Sequence, residues 1–70
     1  MEKPTKRSIT IAGHATSISL EPSFWAALSD MAAAHNMSLA DKIAEIDARP
    51  RICSLTSALR VAVLIWARGT

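Results

Sequence analysis

Thr16-Ser17-Ile18-Ser19-Leu20-Glu21-Pro22-Ser23-Phe24-Trp25 changes hydrophobic period at a proline, with nothing between the two patterns. Thr16, Ile18 and Leu20 fall on one face of an extended segment, and Ser17 and Ser19 on the other. Pro22 suits the first turn of a helix, because it presets φ and lacks an N–H that would be unpaired there. The strand over residues 15–20 therefore feeds directly into an amphipathic helix. A single short strand cannot make a sheet, which points to pairing with a second copy of the chain.

Composition points the same way. Seventy residues make one small domain, yet half of them are hydrophobic, more than so small a monomer easily hides. The lone Cys53 excludes an internal disulfide and a Cys-based zinc site, and is expected to be a small buried residue. The apolar run from Val61 to Ala67 is far shorter than the ~20 residues of a membrane span. The start of the chain lacks an apolar signal-peptide core, so a cytoplasmic location is expected. Net charge is only +2, but Lys3, Lys6 and Arg7 cluster near the N-terminus, opposed there only by Glu2.

Outward from the opening stretch, residues 1–7 read as a flexible basic arm and residues 8–70 as one domain. Ile9 and Ile11 alternate within a first strand over 8–12, and Gly13 can supply the positive φ of a tight turn around His14. Two readings stay open: a hairpin over 8–20, or an extended arm with only 15–20 paired. The first helix spans 22–35, with Phe24, Leu28, Met31 and His35 at helical spacing and Asn36 suited to a left-handed end. Ser38 and Asp41 form a capping pair for a second helix over 38–49, closed by Pro50. Ser54 caps a third helix over 54–68. That helix is apolar almost all round, so Leu59, Val63 and Trp66 are expected at a subunit interface.

Strand, helix, short turn, helix resembles the ribbon-helix-helix fold of Arc/MetJ-type DNA-binding proteins. The alternating Thr16–Leu20, the Glu21-Pro22 helix start, Asn36-Met37-Ser38 at the turn, and Ile43 and Ile46 in the second helix carry the resemblance over residues 15–49. Ser8-Ile9-Thr10-Ile11-Ala12-Gly13-His14, the Ser-Leu-Glu-Pro-x-Phe-Trp run and the apolar third helix further resemble a small bacterial subgroup of that family. The resemblance implies an α+β, mostly α, intertwined homodimer. Strands pair antiparallel across a two-fold, with Thr16, Ile18 and Leu20 packed with Ile43 and Ile46 in a shared core. Ala15, Ser17 and Ser19 would then face the DNA major groove, and Ser38 and Leu39 at the start of the second helix would offer amides to a phosphate. Lys3, Lys6 and Arg7 would add phosphate contacts. Family strands usually carry a basic or amide side chain among the outward three; this strand carries none.

Other chemistry is sparsely represented. His14, a turn residue, and His35, a helix-end residue on the apolar face, lack a ligand partner at metal-binding spacing. Trp25 and Trp66 read as packing anchors, and Asp30, Asp41, Glu45 and Asp47 as solvated helix charges. No nucleophile–base pair, phosphate loop or paired-carboxylate site stands out, so neither catalysis, a metal nor a cofactor is expected. Two functions remain: a dimeric regulator of double-stranded DNA, or a dimeric antitoxin-like or scaffolding module that holds a protein partner through the third helix. The openness of the serine face, and the position of the basic residues relative to it, discriminate between them.

Overall fold

The computed structural model, which describes residues 2–69, turns the change of period at Leu20-Glu21-Pro22 into a junction between strand and helix. β1 (Thr5–Ile11) and β2 (His14–Leu20) form an antiparallel hairpin, followed by α1 (Pro22–Ala34), α2 (Leu39–Asp47) and α3 (Leu55–Arg68). The hairpin reading holds, but it extends further than expected. Residues 5–7 are not a flexible arm; they belong to β1, and His14 is not in the turn but opens β2 opposite Ile11. Met1, the first residue of the expected arm, and Thr70, the last of the domain, lie outside the described residues.

The turn explains the longer pairing. Only Ala12 and Gly13 connect the strands, with φ of 50° and 84°. Two successive positive φ values suit a two-residue hairpin whose twist matches its strands. Gly13 adopts this freely, whereas a left-handed alanine costs about 1–2 kcal/mol, offset by the ladder it closes. Pairing outward from so short a loop fixes the register: Ile11 meets His14, Ile9 meets Thr16, Arg7 meets Ile18, and Thr5 meets Leu20. A β2 that runs to Leu20 therefore draws Thr5, Lys6 and Arg7 into β1, although they show no hydrophobic alternation.

The helix limits follow local chemistry. Glu2 reaches across to α1, its carboxylate accepting from the Ser23 N–H at 3.3 Å and the Ser23 hydroxyl at 2.7 Å. Asn36, at φ 56°, closes α1: its N–H donates to the Ala33 carbonyl, and the Met37 N–H reaches back to Ala32. That pair of bonds is the Schellman arrangement, and it ends the helix one residue earlier than its apolar stripe suggests. Ser38 Oγ accepts from the Asp41 N–H at 3.0 Å and Ser54 Oγ from the Ser57 N–H at 3.2 Å, capping α2 and α3 as their sequences indicate. Each cap serine precedes its helix, and α2 stops at Asp47 before the Pro50 turn.

Side chains from all five elements share one core: Ile11, Ile18, Leu20, Trp25, Leu28, Met31, Ile43, Ile46, Leu59 and Val63 are buried. Trp25 anchors it, its indole N–H donating to the Thr5 carbonyl at 2.9 Å. Cys53, expected inside, is exposed, because it lies in the linker between α2 and α3 rather than on a packed face. Glu45 and Asp47 are not simply solvated. Glu45 bonds Lys42 at 2.8 Å and Arg49 at 2.9 Å, and Asp47 bonds Arg51 at 2.9 Å.

Candidate nucleic-acid interface

The hairpin has two unlike faces, and its register assigns them. Residues directly opposed across an antiparallel ladder project to the same side. Thr5/Leu20, Arg7/Ile18, Ile9/Thr16 and Ile11/His14 therefore share the face that covers the helices, where Ile11, Ile18 and Leu20 are buried. Lys6/Ser19, Ser8/Ser17 and Thr10/Ala15 share the other, and all six are exposed. That open face carries one ammonium group, four hydroxyls and a methyl, with no carboxylate. Hydroxyls donate and accept, so they suit base edges and phosphates alike, and Lys6 adds a point charge with three donors.

The basic residues expected to act together are separated. Lys6 stands beside Ser19 on the open face, while Arg7 projects to the helix side and lays its guanidinium over the Trp25 ring, 4.8 Å from the centroid. A cation held over an indole is worth about 0.5–1 kcal/mol at an exposed site, so Arg7 has a packing role of its own. Lys3 precedes β1 and is exposed. Ser8 and Thr10 were not anticipated on this face; counting outward from the two-residue turn would have placed them opposite Ser17 and Ala15.

α2 packs against β1, so the start of α2 belongs to the same body as the hairpin. Its first turn presents the backbone amides that follow Ser38, the cap hydroxyl being used by Asp41, and Leu39 is half-buried beside them. Arg60 clamps α3 to the strand–helix junction. Its guanidinium donates to Glu21 Oε1 at 3.0 and 3.2 Å and to Oε2 at 3.1 Å. The Glu21 backbone amide, then Arg60, hold this carboxyl below its usual 4.5. Lys42, then Arg49, do the same for Glu45.

The residues read as a dimer interface already have company inside one chain. Ile18, Leu20, Ile43, Ile46, Leu59 and Val63 are buried by their own protomer, and Thr16 and Trp66 are half-buried. β1 also gives β2 the partner that the sequence reading sought in a second copy. Among the described residues the sheet contains only these two strands, so the outer edges of β1 and β2 both lack a strand partner. Also open are the apolar side chains of Val61, Leu64 and Ile65 on α3. Among the described residues no three His, Cys, Asp or Glu side chains are grouped to hold a metal ion, and no helix is long and apolar enough to cross a membrane.

Comparison with known proteins agrees with this architecture. A family model described as a ribbon-helix-helix domain matches residues 4–67. A solved structure, that of an uncharacterized protein from Bordetella pertussis Tohama I, is similar with a TM-score of 0.78 and 32% sequence identity. The match covers 94% of this chain but 57% of the other, so the Bordetella chain extends well beyond the shared part. No curated protein matches.

Proposed function

The chain belongs to the ribbon-helix-helix family, and from that premise we propose that it acts as a homodimeric DNA-binding regulator that reads the major groove with its hairpin. The observation that carries the reading is the open face itself, with Lys6 beside Ser19 and Ser17, hydroxyl-rich and free of carboxylates. Its geometry suggests a division of labour. If the free edges of two β2 strands pair, the sheet has four strands in the order β1, β2, β2 and β1. Three spacings of about 4.8 Å make it roughly 14 Å across, against a major groove about 12 Å wide. Only the central β2 strands then fit within the groove, placing Ala15, Ser17 and Ser19 at base edges. The outer β1 strands ride on the groove walls, which is where Lys6 meets phosphates. Ser38 and Leu39 at the start of α2, and Lys3 ahead of β1, supply further phosphate contacts.

Fluorescence anisotropy with a random-sequence duplex at low salt tests this directly. The chain should bind, Lys6→Glu should abolish binding, and Arg7→Ala should leave it close to unchanged because Arg7 projects to the helix side. Absence of binding at low salt overturns the reading. The second reading, a module for protein interaction, draws support from the exposed Val61, Leu64 and Ile65.

A further inference from the structure

The two-residue turn also sorts the backbone groups of β1. It makes Ile11 and His14 the first pair to exchange both backbone hydrogen bonds, and the exchange recurs at Ile9/Thr16, Arg7/Ile18 and Thr5/Leu20. The N–H and C=O groups of Lys6, Ser8 and Thr10 therefore turn away from β2, to the outer edge of β1, where no described strand meets them. The same three residues carry their side chains on the open face, and all three are exposed.

Each of these residues thus sets two donors at one corner of the sheet, a backbone N–H at the edge and an ammonium or hydroxyl on the face. The hairpin holds no negative side chain, since residues 5–20 include neither Asp nor Glu. Glu2, ahead of β1, is drawn to Ser23 at the start of α1, and Glu21, just after β2, to Arg60. Among the described residues Lys6 makes no salt bridge, so its charge is free for a ligand. Side chains two residues apart on a strand face stand about 6.8 Å from each other, close to the separation of neighbouring phosphates along one strand of a duplex. We propose that the outer corner of β1 is a phosphate rail, in which Lys6, Ser8 and Thr10 hold three successive phosphates of one DNA strand. The proposal rests on the DNA-binding reading above and adds Ser8, Thr10 and the edge amides to it.

Position favours phosphates over bases for these groups. In a four-stranded sheet β1 lies about 7 Å from the two-fold, beyond the half-width of a groove about 12 Å across. Backbone N–H groups and hydroxyls are ordinary phosphate donors, and such contacts fix the register of a protein on the duplex without carrying sequence information. The carbonyls of the same edge stay with water. Hydroxyls neutralise no charge, so Ser8 and Thr10 differ from Lys6 in leaving the salt dependence alone. A further strand could pair with the same edge, but an edge lysine such as Lys6 discourages that pairing.

Ser8→Ala and Thr10→Val each delete one hydroxyl, and both variants should melt close to the wild type because these side chains are exposed. The full chain is titrated by anisotropy, at low salt, with two duplexes of unrelated sequence. Each variant should weaken binding about fivefold or more, since two hydrogen bonds are lost per dimer, and by the same factor on both duplexes. The salt slope should stay that of the wild type. Amide exchange followed by NMR reads the backbone half of the rail. In the free chain Lys6, Ser8 and Thr10 should exchange faster than Arg7 and Ile9, and duplex should slow them. The rail is overturned, with DNA binding left standing, if both variants bind as the wild type does or if duplex leaves the three amides unprotected. A loss that differs between the duplexes would assign the hydroxyls to base edges instead. Slow exchange of the three amides in the free chain, with light scattering above a dimer, would assign the edge to a strand of another copy. A wild-type chain that binds neither duplex overturns the DNA-binding reading and the rail together.

Discussion

Glu21 ends the run between β2 and α1, and its carboxylate is the anchor for a residue 39 positions away. Because Arg60 donates to both oxygens, the pair fixes α3 against the strand–helix junction in orientation as well as distance. Its own backbone amide and Arg60 favour the charged form, so the folded chain holds this carboxyl below 4.5. In the window between the lowered value and 4.5, the unfolded chain binds more protons than the folded one, and falling pH favours unfolding. The contribution of the pair is therefore fully present above pH 4.5 and is lost as pH falls through the folded value. Glu45, lowered by Lys42 and Arg49, adds to the same dependence. Urea midpoints measured at neutral pH and at acid pH should thus fall on acidification, and Arg60→Met should flatten the slope in part, leaving the shares due to the Glu21 backbone amide and to Glu45. A slope unchanged by Arg60→Met would show that the pair does not couple to folding.

α3 packs one apolar side and leaves the other open. Leu59 is fully buried and Val63 nearly so, while Leu64, one residue on, is half open to solvent. Leu59→Ala should therefore cost about 2–5 kcal/mol, the range for emptying a packed site. Leu64→Ser should change stability by no more than about 0.5 kcal/mol. Chemical denaturation separates the two, and equal losses would mean that α3 is covered on both sides. The same contrast shows what was legible in the residues. Ser38, Ser54, Pro22 and Asn36 marked helix ends correctly because capping is settled within a few residues. The inner face of the hairpin was legible from Ile9, Ile11, Ile18 and Leu20 for the same reason. Thr5, Lys6 and Arg7 were misread as a loose arm because their strand character comes from register, not from their own pattern. Glu2 with Ser23 and Glu21 with Arg60 join residues 21 and 39 positions apart, so no local signal announced them. Lys6 reads in the sequence as an expected phosphate contact, but its place beside Ser19 comes only from the strand pairing.

At the scale of the whole molecule, the question is how two open faces combine into one binding surface. Each protomer brings one ammonium group to the open face, so a two-fold dimer would present two Lys6 side chains, one on each outer strand. Hydroxyls at Ser17 and Ser19 lack the bidentate geometry of arginine on guanine or asparagine on adenine, which is worth about 1–3 kcal/mol per pair. Affinity should then rest mainly on phosphates, and log K should fall with log salt by about 0.9 per phosphate neutralised. Lys6→Ala removes two such contacts per dimer, so the slope should become shallower by roughly 1.8, with affinity lost equally on all sequences. Ser17→Ala or Ser19→Ala should leave the slope alone and alter the ranking of sequences instead, by about a kcal/mol or less, the worth of a single ordinary hydrogen bond. Anisotropy titrations over a salt series, run beside light scattering at the same concentrations, measure slope and stoichiometry together. A Lys6→Ala slope shallower by roughly 0.9 would mean that one protomer at a time faces the backbone. An unchanged slope would remove Lys6 from the interface and, with it, the reason to place β1 on the groove wall.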